Sequence, residues 1–156
     1  MTASVCPAES GTTDLAQLAK GALERVCSGS GLSPASRYYS PHFVDYVNDL
    51  TFHGLAGAAQ SVAIYTQVLT DIRIEVQEQV TEGDRVTSRF VVSGTNRGRR
   101  VHFNGITISR FEDGLIVEDW SVTDTLGMLR QLGLWRTALV GVQQWKSLAA
   151  ASKTSR

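Results

Sequence analysis

Residues 99–124 read RRVHFNGITISRFEDGLIVEDWSVTD, and the Asp113-Gly114 pair within them decides the fold. Asp-Gly between alternating apolar runs is a strong hairpin signal, because both residues of a type I′ turn need positive φ. RRVHFNGITISRFE before the pair reads as one long strand and LIVEDWSVTD after it as another. Gly105 falls mid-strand, where glycine commonly marks a bulge or bend. Working back, RVTSRFVVSGTN is a further strand, joined by a turn rich in Gly and Arg at 96–99. EGD at 82–84 is another turn. Before it, Ile72, Ile74 and Val76 alternate with Arg73, Glu75 and Gln77, as on a half-buried strand.

Upstream the period changes. From Gly54 to Leu69, Leu55, Ala58, Val62, Tyr65 and Leu69 share one helical stripe, and Asp71 ends it. Asp14 is placed to cap an earlier helix through Leu15, Leu18, Ala22 and Val26. SGSGLSP at 28–34 breaks that helix. SRYYSPHFVDYVNDLTFHG, 36–54, has no sustained period and reads as short helical turns plus a loop. Downstream, Leu126, Leu129 and Leu132 make a short helix ending at Gly133. A last amphipathic helix carries Leu134, Ala138, Val142 and Trp145. Helices, then strands, then helices predict an α+β domain: a curved antiparallel sheet of about four main strands wrapped around N-terminal helices. The expected boundaries are a loose segment 1–13, one domain 14–149 and a tail 150–156.

A chain of 156 residues, 42% hydrophobic and 19% charged, has the composition of one globular domain. Its formal net charge of zero offers no broad field for a nucleic-acid backbone, so that partner is not expected. Cys6 and Cys27 are too few for a disulfide framework, and no Cys/His spacing suggests a metal. The start has neither a basic segment nor an apolar run, and no stretch would cross a membrane, so cytoplasm is the expected location. No phosphate-binding glycine motif is present, so no cofactor is expected.

FHGLAGAAQ, VTEGDRV, FNGITISRFEDGLIVEDW and DTLGMLRQLG, in that order, resemble the SnoaL-like branch of the nuclear transport factor two-like superfamily. They spread from about Tyr38 to Gly133, most of the chain. The resemblance implies a cone-shaped α+β barrel around an apolar pocket. It implies a cofactor-independent cyclase, isomerase or epoxide-opening enzyme of secondary metabolism, such as antibiotic biosynthesis; fold alone does not fix the reaction. The chain departs from the family's pattern. Asn48 stands where many members carry His, and Ser93–Asn96 reads SGTN where many carry His-Gly-Thr-His. Thr107 and Ser121 fall where aldol-closing members carry a His and an Asp. Intramolecular opening of an epoxide to a cyclic ether such as a pyran is therefore favoured over aldol closure, with epoxide hydrolysis a near neighbour. A non-catalytic ligand-binding module is the alternative of another class.

Three residues are expected to carry the catalysis. An imidazole can shuttle a proton at physiological pH, and His102 shares a strand face with Asn104, Ile106 and Ile108, a mixture that suits a pocket wall. Tyr46 has a phenol to donate to a reacting oxygen. Asp124 shares a face with Trp120 and Val122 and would act as acid or base, unless it simply caps the helix that follows. Phe52, Tyr65, Phe90, Asn104 and Trp120 are expected to line a site for a small, largely apolar substrate. The apolar sheet face and last helix predict a homodimer.

Overall fold

The computed structural model describes residues 14–28 and 35–133. Asp14 caps α1 (Leu15–Gly21) as expected, its Oδ1 accepting from the backbone N–H groups of Ala16 and Gln17 at 3.1 and 3.2 Å. The helix runs on as a π-helical turn, Ala22–Val26. A 3-10 turn at Ala35–Arg37 leads into β1 (Tyr39–Val47) and β2 (Leu50–His53). Then come α2 (Gly54–Thr66), β3 (Thr70–Glu82), β4 (Arg85–Asn96), β5 (Arg99–Glu112), β6 (Leu115–Thr123) and α3 (Thr125–Gln131). The expected last helix lies outside the described residues.

β3 to β6 form the expected antiparallel meander. Its two-residue turns Arg97-Gly98 and Asp113-Gly114 have nearly identical positive φ values, 48° and 78° against 49° and 77°. The segment read as turns and loop is corrected to strands β1 and β2. Its inward residues are Phe43, Asp45 and Val47, and an acid in the buried row disguised the two-residue period. The sheet thus has six strands in the order β2-β1-β6-β5-β4-β3, and β1 lies parallel to β6 while all other neighbours are antiparallel.

The helices cover one face. Ala19, Ala22 and Val26 pack with Tyr39, Phe43, Val86, Phe111 and Ile116 in one core cluster. Leu23, Leu69, Phe90, Val92, Val101, Phe103 and Met128 form a second. Among the described residues nothing covers the other face: Ile106, Ile108, Trp120 and Val122 are exposed, Val122 by 68%. Tyr46 stacks on Trp120 there, with ring centroids 4.1 Å apart.

Gly105 makes no bulge. The β4–β5 register runs unbroken through Phe90↔Gly105. Glycine is required because the Phe90 ring lies over it: an added Cβ would sit 2.4 Å from the ring. Gly105→Ala is expected to destabilise the fold by about 1–3 kcal/mol through overpacking, measured as a lower urea midpoint with an unchanged slope.

Candidate active site

A cavity opens between the inner sheet face and the helices. Its helical wall is mostly apolar: Leu23, Val26 and Cys27 follow α1, and Ala58, Val62 and Tyr65 come from α2, which also brings the Ser61 hydroxyl. Ile72, Ile74, Phe90 and Val92 continue that surface on β3 and β4. Polar groups gather on β1 and β6, where Tyr39, Asp45, Ser121, Thr123 and Asp119 face inward.

Asp45 and Asp119 are cross-strand partners, so their Cα atoms lie about 4.8 Å apart. Both side chains are buried, at 7% and 6% exposure. Burial pushes Asp45 up to about 6, while the Ser61 hydroxyl beside it pulls the other way. Burial pushes Asp119 further, to about 8; a hydrogen bond from Ser109 lowers it and the charge of Asp45 raises it. Near neutral pH the pair therefore holds one carboxylate, Asp45, and one carboxylic acid, Asp119. Asp119 Oδ1 is the one buried side-chain polar atom among the described residues without a hydrogen-bond partner.

The polar groups around this pair are fixed. Ser121 donates to Thr107 Oγ1 at 2.8 Å. Those are the positions where aldol-closing members are expected to carry acid–base groups, and here two hydroxyls satisfy one another. Thr123 Oγ1 lies 3.0 Å from the Tyr65 hydroxyl and accepts from Asn48 Nδ2 at 3.2 Å. No group of three His, Cys, Asp or Glu able to hold a metal occurs among the described residues.

The expected site residues divide between the two faces. Tyr65 and Phe90 line the cavity. His102 and Asn104 are exposed on the outer face; the three residues grouped with His102 do share its face, but it is the one away from the helices. Because Gly105 keeps the register, Val101, Phe103, Gly105 and Thr107 point inward instead. The placement of His102 and Asn104 in a pocket wall is thus corrected. His102 meets α3 through its backbone, its N–H donating to Gln131 Oε1 at 3.0 Å. Tyr46 and Trp120 belong to the outer stack and not to the cavity. Asp124 lies outside the cavity and caps α3, its Oδ1 accepting from the Gly127 N–H at 2.8 Å. Phe52, on β2, lies against Gly57 of α2, also outside the cavity. Asp45 and Asp119 were missed. The available signal was the inward row Phe43-x-Asp45-x-Val47, an acid at a core position.

The fold is a cone of the ketosteroid isomerase-like kind, with a polar pair at one wall of an apolar cavity. The chain belongs to the SnoaL-like polyketide cyclase family, whose model matches residues 17–132. Three solved structures show the likeness. A Bacillus cereus protein provisionally assigned as a polyketide cyclase is 25% identical, with 77% of this chain and 78% of that one covered at a TM-score of 0.66. AclR of Streptomyces galilaeus, provisionally assigned as a hydroxylase, is 27% identical over 77% of this chain and 87% of that one, at 0.64. IdmH of Streptomyces antibioticus, at 24% identity, shares the fold over 77% of this chain and 99% of its own, at 0.68. No curated protein matches the chain. No helix among the described residues is long and apolar enough to cross a membrane.

Raised carboxyl pKa values make stability depend on pH. The folded state holds a proton on Asp119 that the unfolded chain releases near pH 4, so stability falls as pH rises from about 4 to about 8 and then levels. Asp119→Asn removes the ionisation. It should raise the melting temperature at pH 9 by roughly 5–10 °C relative to the native chain, with a much smaller difference at pH 4. An equal difference at both pH values would show that Asp119 is not held protonated.

Proposed function

We propose that this protein is a cofactor-independent cyclase that closes a cyclic ether, such as a pyran, by intramolecular opening of an epoxide. The observation that carries the reading is the buried Asp45–Asp119 pair, whose environments hold the two carboxyls in different protonation states. Pairs pushed apart in this way mark an acid and a base. Asp45 takes the proton of the attacking hydroxyl. The hydroxyl oxygen bonds to an epoxide carbon as that carbon's bond to the epoxide oxygen breaks, and Asp119 delivers its proton to the leaving oxygen. The product is an isomer of the substrate. The pair is restored when the proton on Asp45 passes to Asp119, a move favoured because Asp119 is the weaker acid. The cavity supplies proximity by folding the substrate so that its hydroxyl meets its epoxide.

Aldol closure is less well supported, because Thr107 and Ser121 cannot exchange protons near neutrality. Hydrolysis would use the same pair with water as nucleophile. A long-chain 5,6-epoxy-1-alcohol in ¹⁸O-labelled water separates the two: ring closure yields unlabelled tetrahydropyran, and hydrolysis yields labelled triol. kcat/KM should follow a bell in pH, falling below about 6 as Asp45 protonates and above about 8 as Asp119 ionises. Asp45→Asn and Asp119→Asn should each lower kcat by about 100- to 10,000-fold. Full turnover in both folded variants would remove the reading in favour of other catalytic groups, and ligand binding with no product from the native chain would favour a binding module.

We further propose that two copies pair through the outer sheet face. Tyr46, Trp120, Ile108, Ile106 and Val122 are neighbours across β1, β6 and β5, forming an apolar strip along the middle of the sheet. One twofold axis would lay strip on strip. Sedimentation should show a dimer for the native chain and a monomer for Ile106→Glu combined with Val122→Glu; a monomeric native chain overturns the pairing.

A further inference from the structure

The cavity's hydroxyls mostly have good oxygen partners. Ser121 has Thr107 at 2.8 Å, Thr123 has Tyr65 and Asn48, and Ser61 lies 3.0 Å from the Ala58 carbonyl oxygen. Tyr39 is the exception. Its ring is 3% exposed and held against Phe43, with centroids 4.5 Å apart. Among the described residues its hydroxyl meets only the sulfur of Cys27, at 3.8 Å. A buried phenol ordinarily finds a firm hydrogen-bond partner, and a thiol is a poor one. Tyr39 faces the same cavity as Asp119, whose Oδ1 has no partner. Two underused polar groups thus face one empty space.

We propose that Tyr39 is a second hydrogen-bond donor to the substrate, binding the oxygen that Asp119 protonates, with Cys27 as a weak partner that this oxygen displaces. Naming that atom as the epoxide oxygen rests on the ring-closing reading above; the subsite itself, built for a neutral oxygen acceptor, does not. Tyr39 acts as a donor throughout the working range. Burial holds its phenol well above the ordinary value and pushes the Cys27 thiol up to about 12. Neither competes with Asp45 as the base. Cys27 also suits the role better than serine would. A serine hydroxyl would bind the phenol more firmly, and that bond would have to break before substrate could use it.

The test compares Tyr39→Phe, Cys27→Ala and Cys27→Ser, with melting temperatures to confirm folding. Tyr39→Phe should lower kcat on the order of 100-fold with KM little changed, as for a donor aimed at an oxygen gaining charge. Cys27→Ser should fall about fivefold below Cys27→Ala in kcat/KM. A merely structural contact would rank these last two the other way, because serine is the closer match in shape and polarity. Binding supplies a readout independent of turnover. By NMR titration the native chain should prefer (tetrahydropyran-2-yl)methanol to 2-methyltetrahydropyran, which lacks the hydroxyl that the protonated epoxide oxygen becomes, and Tyr39→Phe should reduce that preference about five- to tenfold. If Asp45→Asn and Asp119→Asn retain turnover while Tyr39→Phe loses the hydroxyl preference, the subsite stands and the Asp45–Asp119 reading falls. A folded Tyr39→Phe variant with native turnover and native hydroxyl preference overturns the proposal.

Discussion

The parallel pairing of β1 with β6, in the register that sets Asp45 beside Asp119, is the constraint on which the site depends. The next pair along is Tyr46↔Trp120, so the same two strands stack aromatics outside and place acids inside. A slip of one residue in β1 would turn Asp45 to the outer face and bring Tyr46 toward the cavity. Both ends of the pairing are fastened. The Ile116 N–H donates to the Tyr38 carbonyl at 2.7 Å near one end. At the other, the Asn48 N–H reaches the Ser121 carbonyl at 2.9 Å, and the Asn48 side chain both donates to Thr123 Oγ1 and accepts from the Thr123 N–H. Asn48 sits at φ 52°, a left-handed turn that asparagine tolerates better than most residues. The position where relatives are expected to carry histidine here fastens the strands that hold the acids.

Burial raises both carboxyls, and it raises Asp119 the more, with the charge of Asp45 adding a smaller contribution. Asp119 is the more deeply enclosed, between β5 and β1, with Ser109 as its main support; Asp45 has Ser61 beside it. A single proton therefore resides on Asp119 near neutrality. The arrangement costs stability as pH rises, and the apolar packing of the two core clusters offsets that cost.

The sheet's meander was legible because its turns are chemically explicit and its strands alternate. Asp113-Gly114 and the run from Ile72 to Val76 needed no tertiary information. The Asp14 cap was legible for the same local reason, whereas Asp124, read as an acid or base with capping as the alternative, stands in the structure as a cap. β1 and β2 were not, because the buried row of β1 contains Asp45 and its outer row contains Tyr46, which reverses the expected polarity of each face. Asp119 was hidden in a second way. The β5–β6 register shifts between Arg110 and Phe111, so counting by twos from the Asp-Gly turn does not give its face. His102 drew attention by chemistry alone. The parity argument grouped it correctly with Ile106 and Ile108, but a strand's two faces are distinguished only by what covers them. Exposed isoleucines beside a histidine read equally as pocket wall or as bare sheet until the helices are placed.

The distribution of polar groups bears on which nucleophile the proposed reaction admits. The helical wall and the β3–β4 wall are almost wholly apolar, and on the polar wall Ser121 and Thr123 already have protein partners. A water placed among those groups would find few free hydrogen bonds, and a buried water typically needs about three. The sites still open to a ligand oxygen are Asp119 Oδ1 and, through its loose contact with Cys27, the Tyr39 hydroxyl. Asp45 then faces whichever hydroxyl the bound molecule itself brings. An internal nucleophile needs no separate binding place and carries its own apolar tether, which the remaining walls suit. The scarcity of places for water, more than any special reactivity of the acids, is what supports the proposal of ring closure over hydrolysis.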